Sequence, residues 1–424
     1  MLALSFKNAN YSIYKELIWL ILGLLCIFIF NLILEYKHFL DFKESKHISI
    51  RDAKILQAYK KSTKKGKSYN VLKLKTKEFS FYTTSYKDFN LNINDLISLK
   101  AITTNVTFKD YLSKTFYMPS YYLDINSSKK EINNKLVSYF LNQHDNAKIK
   151  EFYGALFFAK NISLELRTDV NYYGIAHLIA ISGYHIGLLF SVIFFILAPL
   201  YSFFQKRFFP YRNLRFDLSL IIFILLLAYA YLIGFTPSFI RSLIMAFWGF
   251  YLLIKNIKIL SFVNLFMSIC LCVALFPQLL FSVGFLFSIL GVFYIFLYLH
   301  HFSRYFNTIT NIILLNIWVF LAMILPVLYY FPLVSLQQFL AIILSAVFIV
   351  FYPLVLFLHI INLGFLLDNI LIEFFNFKIY AINVKINFYV FISYILFSLL
   401  SIRFSYLGLF CVCLNFIPFI LIFT

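Results

Sequence analysis

Apolar positions along this chain keep two different periods, and the change between them divides it. A first run, Leu17 to Leu34, is about 18 residues long and free of charge, enough to cross a hydrocarbon layer as a helix. It exceeds the core of a cleaved leader, and Asn31-Leu32-Ile33-Leu34-Glu35 offers no small-residue cleavage site. It reads as a retained anchor, residues 1–35. From Tyr36 to about Ile125 the pattern shortens and reads as β. Val71-Leu72-Lys73-Leu74-Lys75 alternates apolar and cationic side chains with period two, which predicts a strand with one wet face. His47–Ile50 with Ala53–Tyr59 predicts one long, bulged strand; Phe79–Thr83 and Leu96–Ala101 predict two more. Short strands this closely spaced fit a small barrel of the OB type, residues 36–125.

Residues 126–171 turn helical but stay too polar to span. Ile132, Leu136, Tyr139 and Phe140 share one face, and Phe152, Ala155, Leu156 and Ala159 share another, which predicts amphipathic helices at the membrane surface. Residues 172–424 then hold nine apolar runs, near 178–203, 217–234, 239–254, 259–276, 280–299, 309–330, 334–360, 386–402 and 405–424. Pro237, Pro277, Gly284, Pro326, Pro332 and Pro353 interrupt several of them. Broken membrane helices free backbone groups that need partners, so these runs predict a cavity. Leu363–Phe377, carrying Asp368 and Glu373, is short and acidic and reads as an interfacial cytoplasmic helix.

Composition places the whole in a membrane. The 424 residues are 62% hydrophobic and only 13% charged, where soluble domains carry about 25%. The fold class is an α-helical polytopic membrane protein with an N-terminal anchor helix and a small all-β, OB-like extracytoplasmic domain. Residues 1–170 hold 26 Lys+Arg against 15 Asp+Glu, the remainder 11 against 3. In that remainder the cations sit almost wholly in short loops. Lys206, Arg207, Arg212 and Arg215 follow the first channel run, Lys255 and Lys258 the third, Arg304 the fifth, and Lys378 and Lys385 the seventh. All of these follow odd-numbered runs, so the positive-inside rule puts these basic loops in the cytoplasm and the β domain outside. The five cysteines, Cys26, Cys270, Cys272, Cys411 and Cys413, all lie in apolar runs and read as small buried hydrophobes, not a metal clamp or disulfide framework.

Candidate chemistry concentrates in His177–Gly187, H-L-I-A-I-S-G-Y-H-I-G. Lipid satisfies no polar group, so His177, Ser182, Gly183 and His185 must face protein or water. As one helix, the two histidines would fall within about 80° of each other. A hydrolytic Ser182/His185 pair lacks an acid and a G-x-S-x-G elbow. What remains is helix packing around Gly183 and Gly187, or the lining or gating of a hydrated path. Arg241 lies about a turn inside the third run, behind Pro237 and Ser238. An arginine at mid-bilayer costs about 2.5–3.5 kcal/mol even on lenient scales. Snorkelling to the outer interface or pairing with one of the few carboxylates is one resolution; lining a pore, with the guanidinium fork turned to phosphate oxygens, is the other. Lys64, Lys65 and Lys67, with Lys73 and Lys75 among Tyr59, Tyr69, Phe79, Phe81 and Tyr82, suit a single-strand binder, its cations on phosphates and its rings on bases; each lysine taken singly is an ordinary solvated one.

The first of these stretches resembles the H-L-x-A-I-S-G-x-H-I-G signature of the ComEC competence proteins. Thr236–Ser242 resembles that family's P-S-x-x-R motif. Ser282-Val283-Gly284-Phe285-Leu286-Phe287-Ser288 resembles its S-x-G-F-x-L-S segment, with Phe287 where leucine is usual, and Val106–Leu112 resembles the segment that ends its OB-like domain. The resemblance implies an inner-membrane channel for single-stranded DNA in natural transformation, with no cofactor and no catalytic residue. It implies partners too: a periplasmic DNA receptor, a separate ATP-driven helicase, since no P-loop occurs, and a separate nuclease, since the H-x-H-x-D-H motif of the longer members is missing. The competing reading is a solute transporter or membrane hydrolase sharing only the helical architecture.

Overall fold

The computed structural model describes residues 10–62, 68–76, 78–85, 95–125, 135–255, 257, 260–420 and 422. Two compact units emerge, residues 1–133 with 263–286, and residues 134–262 with 287–424.

In the first unit, helix α1 runs unbroken from Asn10 to Glu44. The stretch Tyr36–Glu44, expected to begin the β region, is therefore helical. Its cause is aromatic: Phe39 and Phe42 on the last turns pack on Phe79, Phe108, Tyr111 and Phe116 at ring-centroid distances of 5.1–6.1 Å. Strands β1 (His47–Ser62), β2 (Ser68–Lys75), β3 (Ser80–Ser85) and β4 (Leu96–Ile102) follow, then α2 (Phe108–Leu112), β5 (Thr115–Tyr117) and β6 (Ser120–Ile125). β1 is long and bulged as its pattern predicts, with register shifts after Ile50 and Ile55 and Asp52 at φ +60°. The sheet order is β5-β3-β2-β1-β4-β6. Its two end strands are consecutive in the chain, separated by Met118 and Pro119 alone, and Met118 N donates to Tyr82 O at 2.9 Å. The sheet thus closes on itself around Ile55, Leu72, Leu74, Phe81, Ile97, Leu99 and Met118, all buried. Asn31, a polar residue in the middle of the apolar part of α1, donates to the carbonyls of Ala274 and Leu275 at 2.7 and 3.4 Å. Those carbonyls belong to the last turn of a helix, where carbonyls lack an intrahelical partner.

The second unit opens with α3 (Lys135–Leu141), α4 (Ala147–Phe158), α5 (Leu164–Tyr172) and α6 (Ala176–Ile179), then α7 (Gly183–Phe208), α8 (Leu214–Leu232) and α9 (Pro237–Ile254). Phe262–Leu275 is α10, which falls almost wholly in the first unit. There follow α11 (Val283–His301), α12 (Thr308–Tyr330), β7 (Leu333–Ser335), α13 (Leu340–Ile360), α14 (Asp368–Asn376), β8 (Ala381–Asn383), α15 (Phe388–Leu400), α16 (Ser405–Leu414) and α17 (Ile417–Ile420). Across the described residues seven helical stretches, the seventh running from Leu336 through α13, are long and apolar enough to cross a membrane, and three shorter segments are apolar as well. The protein is a multi-pass membrane protein.

Two expectations change here. Residues Phe152–Phe158 of α4 are buried on every side, not on one face. They meet α13 and α14 in a core with Tyr352, Val355 and Phe375, so α4 behaves as an interior helix. The second change concerns the seventh run. β7 pairs with β8, Gln337 Nε2 donates to Phe377 O at 2.8 Å, and Gln143 Nε2 donates to His359 O at 2.9 Å at the far end of α13. The chain therefore goes out along α13 and comes back through α14 to where it started. Lys378, expected in the cytoplasm, instead pairs with the buried carboxylate of Asp169 in α5, which Lys148 also grips at 2.5 Å. The parity of basic loops fails at this run, because Leu363–Phe377 is the return arm of a hairpin and not a helix lying beyond a crossing.

Pro326 illustrates how a broken helix is repaired. Proline lacks an N–H, which leaves the carbonyl four residues back unbonded. Here that carbonyl, Ala322 O, accepts from Tyr394 Oη at 2.7 Å. Asn415 Nδ2 donates to Tyr394 Oη at 2.8 Å, and Asn415 Oδ1 accepts from Leu325 N at 2.8 Å. All four residues are buried. Side chains, not a water-filled cavity, satisfy this break.

Candidate functional site

His177 and Ser182–Gly187 do not share one helix. Gly174, at φ +65°, closes α5, a single turn of α6 carries His177, and the chain is extended at Ala180 and Ser182 before α7 begins at Gly183. The angular relation expected between His177 and His185 therefore does not apply. Ser182 caps α7: its N–H donates to His185 Nδ1 at 3.3 Å, with its hydroxyl also 3.3 Å from that nitrogen. His185 is fully buried, its ring edge-on to Phe348 and Tyr352 of α13 at 5.2 and 5.1 Å.

His177 turns elsewhere. Its Nδ1 is 3.1 Å from Gly174 O, and its Nε2 is 3.2 Å from Ser345 Oγ on α13. Ser345 is also 2.6 Å from Ala341 O. A hydroxyl has one proton and a carbonyl has none, so all three bonds form together only when the imidazole carries both protons. In the neutral ring one bond is lost: with the proton on Nδ1, Ser345 must choose between His177 and Ala341, and with it on Nε2 the bond to Gly174 O is broken. His177 is accessible to solvent, as are Gly183 and Tyr184, whose hydroxyl donates to Ser345 O at 3.0 Å. Ser345 thus ties α6 and α7 to one face of α13.

The second motif arrives on α9. Gly234 (φ +74°) and Phe235 (φ +49°) make a tight left-handed turn after α8, Phe235 N donating to Ala230 O at 2.8 Å. Thr236 then precedes Pro237 at the first helical position, where a missing N–H costs nothing. This start fixes Arg241 one turn in and leaves Ser238 half-buried. Arg241 is only 4% exposed, and its Nη2 donates to Ser288 Oγ at 2.8 Å. The next residue, Ser242, lies against Gly183, its Oγ 3.6 Å from where a β-carbon would stand. Three motifs separated by some fifty residues each are in this way joined through Gly183–Ser242 and Arg241–Ser288. Ser242 and Ser288 entered the sequence reading only as motif ends and Ser345 not at all; hydroxyls repeating near Gly183, Arg241 and His177 in otherwise apolar helices are the signal that marks them.

Of the lysines on the barrel, Lys73 and Lys75 lie on its outer face, and Lys73 sits 5.3 Å from the Tyr82 ring centre. Tyr82 is flanked across the sheet by Lys73 and by Tyr117, 52% exposed. Lys64, Lys65 and Lys67 lie outside the described residues. No group of three or more His, Cys, Asp or Glu able to hold a metal occurs among the described residues.

Searches of curated proteins and of solved structures return no match. The model of the family described as Competence protein matches residues 158–423, which takes in α5 to α17 and all three motifs. By that match over more than half its length, the chain belongs to the Competence protein family, the family of the ComEC proteins.

Proposed function

We propose that this protein is the inner-membrane channel through which single-stranded DNA enters the cytoplasm during natural transformation, and that it acts as a conduit and not as an enzyme. Membership of the Competence family supports a role in DNA uptake. The observation that carries the channel reading is the junction of Gly183, Ser242, Arg241 and Ser288, with accessible His177 and Tyr184 in the same helical unit. Polar groups meet there inside a membrane-length bundle. Arg241 is latched on a neutral hydroxyl at 2.8 Å, an acceptor that a phosphate oxygen replaces with stronger, charge-assisted bonding. On this reading the described geometry is the closed state, and passage requires α9 and α11 to part. A few spaced cations bind weakly enough to release the strand again.

The closed six-stranded sheet with its lysines and tyrosines supports an OB-like domain on the outer side of the membrane that receives or guides DNA. A separate receptor outside, a motor and a nuclease complete the pathway. In a strain lacking the gene, Arg241→Ala restored in trans is expected to insert normally yet give no transformants. Normal transformation frequency with that variant removes Arg241 from the path, and unchanged DNA entry in the deletion strain removes the channel.

A further inference from the structure

Away from this junction, three titratable side chains are packed in a row. His144, between α3 and α4, is 1% exposed; His359, on the last turn of α13, is fully buried; Asp368, at the start of α14, is 9% exposed. Asp368 Oδ1 and Oδ2 stand 2.9 and 3.0 Å from His144 Nδ1, His144 Nε2 stands 3.0 Å from His359 Nε2, and His359 Nδ1 stands 2.6 Å from Val355 O. Tyr153 of α4 stacks on His144 at 4.5 Å, and Phe140 of α3 stacks on His359 at 5.2 Å. Asp145 is the remaining charged group whose field reaches Asp368.

Protons in this row can be counted from one end. A carbonyl only accepts, so His359 Nδ1 carries hydrogen and donates to Val355 O. His359 Nε2 is then a lone pair, which His144 Nε2–H must fill. That leaves His144 Nδ1 facing the Asp368 carboxyl, and a hydrogen bond there needs one more proton, held on either atom. With that proton the row is fully bonded. Without it, a carboxylate faces a lone pair, or, if His144 changes tautomer, two ring nitrogens face each other bare. A second extra proton on the rings is excluded, since two N–H groups would then meet 3.0 Å apart.

We infer that Asp368, His144 and His359 form a buried binding site for one exchangeable proton, and that this proton fastens the start of the return arm, at Asp368, to the end of α13. Asp368 is the member in contact with solvent and is the route by which the proton leaves as hydronium or returns. Burial pushes the Asp368 carboxyl above the ordinary carboxylate range, with the hydrogen bond from His144 opposing it. The sign follows from the count. The folded row has a bonded place for this proton and the unfolded chain has none, so the fastening is complete at low pH and is lost as pH rises. Gln143 supports the same joint, accepting from Gly364 N at 2.9 Å, but does not titrate.

The test is Asp368→Asn in the full-length protein in detergent or nanodiscs, with no DNA present, so its outcome is independent of the channel reading. An asparagine amide donates to His144 Nδ1 without the extra proton, keeping the row bonded at every pH. Hydrogen exchange of the amides of residues 358–368 is expected to speed up at least tenfold between pH 6 and 9 in the wild type, beyond the intrinsic pH dependence of exchange. In Asp368→Asn the corrected rates are expected to stay flat. Asp368→Leu, which bonds nothing, is expected to be fast throughout. Flat corrected rates in the wild type, or the same rise in Asp368→Asn as in the wild type, overturn the proposal. If Asp368→Asn fails to fold, direct titration of the His144 ring by nitrogen NMR decides: two protonated nitrogens, or one with a protonated Asp368, at pH 6 support it, and a lone neutral ring beside a bare carboxylate refutes it.

Discussion

The repair at Pro326 makes a claim that can be measured. Tyr394 Oη is the donor that satisfies Ala322 O, and it in turn receives a hydrogen from Asn415 Nδ2. Tyr394→Phe removes one oxygen and strands two buried groups, the carbonyl and one amide hydrogen. In water-soluble cores each stranded group costs about 1–3 kcal/mol. Between membrane helices, measured side-chain hydrogen bonds average about 0.6 kcal/mol and reach about 1.7. Two such losses therefore predict a destabilisation of about 1–3 kcal/mol. Pro326→Ala supplies the discriminating background. The new N–H at position 326 can bond Ala322 O within the helix, so Tyr394→Phe then strands only the amide hydrogen. Its cost should fall by about half, a coupling of about 1 kcal/mol in a double-mutant cycle. Reversible unfolding in mixed micelles, followed by tyrosine and tryptophan fluorescence, reads both numbers. Equal costs of Tyr394→Phe in the two backgrounds would show that the hydroxyl does not serve the proline break.

Other contacts are open to equally direct tests. Asp169→Ala should leave Lys148 and Lys378 without their shared, fully buried carboxylate and cost about 3 kcal/mol in unfolding, the low end for a broken buried pair because both lysines remain partly wet. A β-carbon at Gly364 would stand 2.6 Å from Gln143 Oε1 and 2.9 Å from His359 Cδ2, so Gly364→Ala should destabilise by about 1–3 kcal/mol, with Gln143→Ala in the same chain recovering part of it. Ser345→Ala removes the acceptor for His177 Nε2 and leaves Ala341 O to its own helix. The expected readout is a lowered pKa of His177 by ring NMR, and an unchanged value refutes the three-bond account. On the barrel, Lys73→Gln in the full-length protein should weaken single-stranded DNA binding and reduce its salt dependence, whereas Tyr82→Ala should weaken binding at constant salt slope. Equal slopes for both would separate Lys73 from the phosphates.

How far the sequence reaches depends on the kind of contact. Period-two alternation at Val71–Lys75 and the broken pattern around Asp52 translate into strand β2 and the bulged β1 because one face is buried and the other wet. The membrane helices are equally legible, since length and hydropathy decide them. What escapes is pairing between distant segments. Nothing near Tyr36 announces that α1 continues to Glu44; the reason is an aromatic set on Phe79, Tyr111 and Phe116, seventy residues away at the farthest. Nothing in Leu363–Phe377 states that Asp368 answers His144, so the acidic residue looked like a surface group. Lys378 misled for the same reason: a lysine obeys the charge rule for loops only when no buried carboxylate claims it. At the junction, the sequence names the motifs that hold Gly183, Arg241, Ser242 and Ser288 but not their pairing, because Ser288 and Ser242 become partners only through the crossing of α9 with α11 and α7.

The continuity of α1 has a mechanical meaning. A helix of 35 residues is about 52 Å long, well beyond the roughly 30 Å of a hydrocarbon layer, and its upper end is the floor of the β-barrel. Such a connection is a mast and not a tether. The barrel inherits the tilt and rotation of the membrane helix beneath it, so its outer face stands at a fixed height and bearing over the bilayer. Fluorescence anisotropy from a dye on the barrel should therefore decay at the slow rate of the whole membrane particle, and inserting glycines after Glu35 should set it free.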